Sequence, residues 1–99
     1  GPQLARSMDA AVMFHSLYWA LDPLRELQCM RRLLRPGSVV LVGQQVVEST
    51  PGLVAIVAAM GAKHVFRSSD VDNLLETAGY RNERVYLRSM PFYIAVWRA

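Results

Sequence analysis

The chain is short of several things at once. It has 99 residues and a single cysteine, Cys29, so no intrachain disulfide and no cysteine-based zinc cage can form, which fits a reducing, cytoplasmic setting. No apolar run approaches the roughly 20 residues a membrane-spanning helix requires, since the longest is bounded by Gly52 and Gly61. The formal charge is only +3, and its basic residues are interspersed with carboxylates from Arg25 to Arg98, so no basic run marks a nucleic-acid partner. Its six glycines never cluster as Gly-x-Gly, the pattern that lets a backbone turn cradle phosphates or a nucleotide. His, Asp, Glu and Cys show no metal-ligand spacing, and no repeat, linker or low-complexity segment interrupts the chain.

What is present is hydrophobic and patterned, with 53% apolar residues, enough for one small domain or part of one. Gly1 to Ser7 read as a tag remnant, because Gly-Pro is a frequent cleavage scar and no pattern begins before Met8, which is read as the native start. Ala10 to Phe14 is apolar on both faces, as a strand with helices on either side must be, and is expected in a sheet interior. Asp22 and Pro23 then open a helix as N-cap and first residue, with Leu24, Leu27, Met30 and Leu34 as its apolar stripe. Arg35-Pro36-Gly37 ends that helix, and Ser38 to Val46 is a continuous β-branched strand, which makes one strand–helix–strand unit.

Beyond it, Ser49 or Thr50 with Pro51 caps a helix over Gly52 to Met60 that is apolar nearly all round and needs cover on more than one side. Ser69 with Asp72 three residues on resembles a capping box opening a third helix, whose Val71, Leu74, Leu75 and Ala78 point inward and which stops at Gly79. Glu83 to Arg88 alternates, with Val85 and Leu87 on one face, and Phe92 to Trp97 returns after Ser89-Met90-Pro91 as the second arm of an antiparallel hairpin.

Taken in order, Met8-Asp9-Ala10-Ala11-Val12, Asp22-Pro23-Leu24-Arg25-Glu26-Leu27, Arg32-Leu33-Leu34-Arg35-Pro36-Gly37, Leu74-Leu75-Glu76-Thr77-Ala78-Gly79-Tyr80 and the closing hairpin resemble the C-terminal half of a class I S-adenosylmethionine-dependent methyltransferase, of type 11-like pattern. The resemblance covers Met8 to Ala99 and departs at Ser38, where a second glycine is usual. It implies an α/β fold, a partial Rossmann-like sheet holding that family's strands four to seven with the C-terminal antiparallel hairpin. The family's glycine-rich cofactor turn and following acidic residue have no counterpart here, so the resemblance implies that S-adenosylmethionine binds only in complex with a partner supplying the first three strands. The expected molecule is one subunit of a split methyltransferase acting on a small-molecule acceptor and inactive alone. Self-association through the same edge, or a non-catalytic module that dimerises or stabilises another protein, are the competing readings.

Several residues follow as candidates. His15 ends the first strand at the carboxyl rim, where open α/β sheets hold ligands; it is a candidate catalytic base or acceptor-orienting group, or a loop histidine with a local hydrogen bond. With Ser16 and Leu17 it borders the cofactor in the resembled arrangement. Tyr18 and Trp19 are candidate acceptor walls, or pack on the following helix. Gln44 and Gln45 turn an apolar strand polar at the rim, and alternation sends one of them inward. Arg67 is a candidate partner for an anionic acceptor group, beside His64 and Phe66 in a connector that is otherwise solvated. Tyr86 and Tyr93 are read as structural, and Cys29 as inert.

Overall fold

The computed structural model describes residues 8–14, 17, 20–47, 51–61 and 66–99. Its elements run β1 (Met8–Phe14), α1 (Pro23–Leu33), β2 (Leu34–Gln44), α2 (Pro51–Ala59), α3 (Ser68–Thr77), β3 (Arg81–Leu87) and β4 (Tyr93–Arg98). The four strands form one sheet in the order β1-β2-β4-β3. β1 and β2 are parallel, joined through α1, whereas β4 lies antiparallel between β2 and β3.

Local chemistry places each boundary. The Asp22 carboxylate accepts from the Arg25 backbone N–H at 3.1 Å, and Pro23 takes the first helical position, where an N–H would be unpaired. Gly37 adopts φ +82 and so turns the chain after α1. The turn is nonetheless held within the sheet. Met8 pairs with Leu34 and Ala10 with Val39, so residues 35–38 form an irregularity in the ladder, and β2 starts four residues before the expected Ser38. Ser38, the departure from a second glycine, is buried and shares its hydroxyl between the Met8 and Arg35 carbonyls, tying the turn to β1. Asp9 and Arg35 add an exposed ion pair over the same junction.

Two further features differ from the sequence pattern. α3 begins at Ser68, because Asp70, not Asp72, returns a carboxylate to cap the helix, accepting the Arg67 backbone N–H at 2.8 Å. Leu87 does not share a face with Val85: Val85 opposes Ala95 while Leu87 opposes Ile94, and the irregularity between them turns Leu87 to the other side of the sheet.

The core lies between α1, α3 and one face of the sheet. Leu27, Val71 and Leu75 meet Val40, Val42, Tyr93, Ala95 and Trp97, all buried. Gly79 at φ +101 ends the α3 region, and Tyr80 then buries its ring and donates to the Leu27 carbonyl at 2.7 Å, stitching β3's start to α1. β1, expected in an interior, is here an edge strand. Its Ala11 and Met13 pack on the core, but Val12 is 63% and Phe14 52% exposed.

Burial pushes the Tyr80 phenol up from 10.0 to about 12, the nearby Arg31 charge opposing it weakly. A phenol harder to ionise when folded contributes stability that is complete below pH 10 and lost as pH rises from 10 towards 12. Urea midpoints measured across that range should fall, and Tyr80→Phe should flatten part of the decline; an identical decline in the variant would exclude Tyr80 as a cause.

Candidate functional site

The carboxyl ends of the parallel strands β1 and β2 converge where Phe14 opposes Gly43. The Phe14 ring folds over Gly43, against the position a side chain there would occupy, so glycine is required for this close approach. Beyond it the two glutamines separate. Gln44 is 1% exposed and turns to the core side, its Nε2 donating to the Gln45 carbonyl at 3.3 Å, whereas Gln45 is half-buried and its Nε2 donates to the Pro91 carbonyl at 3.4 Å. The alternation expected of this pair is therefore present, with Gln45 bridging to the tip of the β3–β4 hairpin.

That tip is anchored a second time. The Tyr93 hydroxyl, buried at the start of β4 opposite Gln44, donates to Asp72 Oδ1 on α3 at 2.6 Å and accepts from the Trp97 indole N–H at 3.1 Å. Arg88, at the end of the hairpin arm, donates to the other Asp72 oxygen at 2.7 Å. Burial first, and then the hydrogen bond to Asp72, hold the Tyr93 phenol well above its usual range, so it stays a neutral donor. From the sequence pattern, Asp72 reads as a cap and Tyr93 as packing. The link spans 21 residues, and no local pattern announces it.

Across the rim, the Val47 backbone N–H donates to the Phe66 carbonyl at 2.8 Å, closing the base of the excursion that carries α2. Of the described α2 side chains, Gly52, Ala55, Ile56, Ala58 and Ala59 are exposed, as is Met60 beyond it. Phe66 is buried in the core, and Arg67 is exposed with no salt bridge among the described residues. Leu17 is buried in the core. His15, Ser16, Tyr18, Trp19 and His64 lie outside the described residues. Of the described candidates, Gln44 and Gln45 lie at the end of β2 and Leu17 lies in the core. No group of three His, Cys, Asp or Glu among the described residues could hold a metal, and no helix there is long and apolar enough to cross a membrane.

A parallel pair joined through α1, with a final strand inserted antiparallel, is a specific topology, and it has solved counterparts. A Thermotoga maritima S-adenosylmethionine-dependent methyltransferase, described as a possible histamine N-methyltransferase, superposes with a TM-score of 0.75 at 20% identity, over 95% of this chain and 57% of its own. The fold is part of the methyltransferase fold. A methyltransferase from Mesorhizobium loti gives a TM-score of 0.72 at 16% identity over 96% of this chain and 63% of its own. One from Aquifex aeolicus gives 0.69 at 18% over 95% and 46%. The chain spans about half the length of these structures. No protein-family model matches it, and no curated protein does.

The Tyr93 hub makes a direct prediction. Tyr93→Phe leaves the buried Trp97 N–H without an acceptor and should cost about 1–3 kcal/mol, the penalty for orphaning a buried donor. Urea unfolding measures it; a change within about 0.5 kcal/mol, the range of an ordinary surface substitution, would reduce the hub to packing.

Proposed function

We propose that this chain is the acceptor-side part of an S-adenosylmethionine-dependent methyltransferase, acting with a separate polypeptide that holds the cofactor and extends the sheet from the free edge of β1. The observation that carries the reading is β1 itself, a parallel strand with one edge unpaired and Val12 and Phe14 exposed, in a chain that matches about half of each methyltransferase. In this reading β1, α1, β2, α3 and the hairpin correspond to strands four to seven of the full sheet and their helices.

The chain's own residues do not fit a cofactor cradle. Its positive-φ glycines are Gly37, Gly61 and Gly79, none of which follows β1, and the sequence carries no Gly-x-Gly turn. Holding S-adenosylmethionine, which supplies an electrophilic methyl group, therefore falls mainly to the partner, with His15 and Ser16 bordering it and Leu17 anchoring their loop in the core. This chain's contribution is to orient a small-molecule acceptor. Tyr18 and Trp19 wall it, Gln45 stands at the rim while the buried Gln44 supports it from the core side, Arg67 meets an anionic group, and His15 takes the acceptor's proton. The double anchoring of the hairpin tip by Asp72 and Gln45 keeps that wall rigid.

Calorimetric titration of S-adenosylmethionine tests the proposal, first into the chain alone and then into its complex with a candidate polypeptide bearing three strands and a Gly-x-Gly turn. The expected results are no heat alone and micromolar binding together; tight binding by the isolated chain would overturn the division of labour. In the active complex His15→Ala should lower turnover by about 10²-fold or more. Cofactor binding without turnover on any acceptor would favour a non-catalytic stabilising module.

A further inference from the structure

The end of the molecule opposite the carboxyl rim carries a cleft of its own. It opens between the last turn of α1, the first residues of β2 and Ala99, with a volume of about 610 Å³, within the range of small-ligand sites. The six paired positions from Val39 to Gln44, at about 3.3 Å per residue, put roughly 20 Å of strand between it and the rim. A small molecule held here does not reach the proposed acceptor site.

Two arginines decide the chemistry of the cleft. Arg31 and Arg32 both line it, and Gln28, three and four residues earlier, adds an amide from the same side of α1. Most of the remaining lining is apolar, from buried Leu34 and Ala78 together with Pro36. Neither guanidinium has a salt bridge among the described residues, and the Ala99 terminus lies within ion-pair reach of neither. The neighbouring arginines differ. Arg35 pairs with Asp9, and Arg98 pairs with Glu83 in a separate hollow that also takes Arg81. The uncompensated charge within the cleft is therefore that of Arg31 and Arg32.

Arg31 is also held in position. A side chain at Gly79 would meet Cζ, Nε and Nη1 of the Arg31 guanidinium at 3.0, 3.1 and 3.2 Å, so the planar group lies flat over the glycine. A guanidinium positioned in this way without a carboxylate loses little freedom when an anion arrives. The dipole of α1 favours cations in its last turn, but it sets only about half a negative charge against two positive ones. It accounts for neither the hollow nor its apolar lining.

Guanidinium forks match phosphate oxygens two at a time, and a phosphomonoester, at about −1.5 to −2 near neutral pH, uses both charges. The apolar lining suits the carbon body of an ester, which bare phosphate lacks. We infer that this cleft binds a small organic phosphomonoester, with Arg31 and Arg32 on the phosphate and Leu34, Pro36 and Ala78 against the carbon body. The inference goes beyond the proposed function and does not depend on it.

The test titrates phenyl phosphate, inorganic phosphate and phenol into the isotope-labelled chain and follows backbone amide shifts. Phenyl phosphate should bind with a dissociation constant on the order of 1 mM or below, moving the amides of Arg31, Arg32, Gly79 and Ala99 and leaving Gly43 to Gln45 at the rim unmoved. Inorganic phosphate should bind several-fold more weakly, and phenol not at all. Arg31→Gln and Arg32→Gln should each weaken phenyl phosphate at least tenfold, and both replace exposed side chains. Arg31→Lys, which keeps the charge but loses the fork, should weaken it less. Arg25→Gln, at the other end of α1, should change nothing. No binding, or equal binding of inorganic and phenyl phosphate, would overturn the inference. So would binding that Arg25→Gln weakens as much as Arg31→Gln, which would mark a response to surface charge only.

Discussion

A parallel β-strand satisfies its backbone on two edges and its side chains on two faces, and β1 does each only once. Its inner edge pairs with β2 over six aligned positions, and its Ala11 and Met13 reach the core; the outer edge and the side chains of Val12 and Phe14 are left open. Apolar strand edges of this kind template aggregation unless something covers them. The proposed function descends from that imbalance, because the outer edge of β1 is where further strands would pair.

The rest of the molecule is well tied down. β2 is paired on both edges, and its inward side chains are capped by α1 and α3. Hydrogen bonds of long sequence separation close the assembly. Tyr80 reaches the Leu27 carbonyl, Tyr93 joins Trp97 to Asp72, and the Gly37 N–H donates to the Ala99 carbonyl at 2.9 Å. The packed core is therefore concentrated between β2, β4, α1 and α3, and exposed apolar side chains include Val12 and Phe14 of β1, Ile56 of α2, Leu21 before α1 and Met90 at the hairpin tip.

Much of this was legible in the sequence where a residue's own chemistry dictates its conformation. Asp22-Pro23 starts α1, Gly37 and Gly79 take positive φ, the β-branched run builds β2, and the stripe around Leu27 faces inward. What was not legible depends on partners far away in the chain. Asp72 follows Ser69 at capping distance, yet its carboxylate goes to Tyr93 and Arg88 while Asp70 does the capping. Leu87 obeys the alternation of Val85 until an irregularity in β3 reverses it. The candidate site was legible only as a place, the carboxyl rim; of the rim glutamines, it took the register with β4 to show that Gln44 points to the core and Gln45 to the hairpin tip.

Amide hydrogen exchange along β1 tests the open edge most directly. In the isolated, monomeric chain the amides of Ala11 to Phe14 should alternate, those directed at β2 protected and those directed outward exchanging at near-unfolded rates, with Val40 to Val42 slow throughout. On assembly with the proposed cofactor-holding polypeptide the outward set should become protected as well. Uniform protection of β1 in the monomer would mean that the chain covers this edge itself, and the account of an incomplete sheet would be wrong.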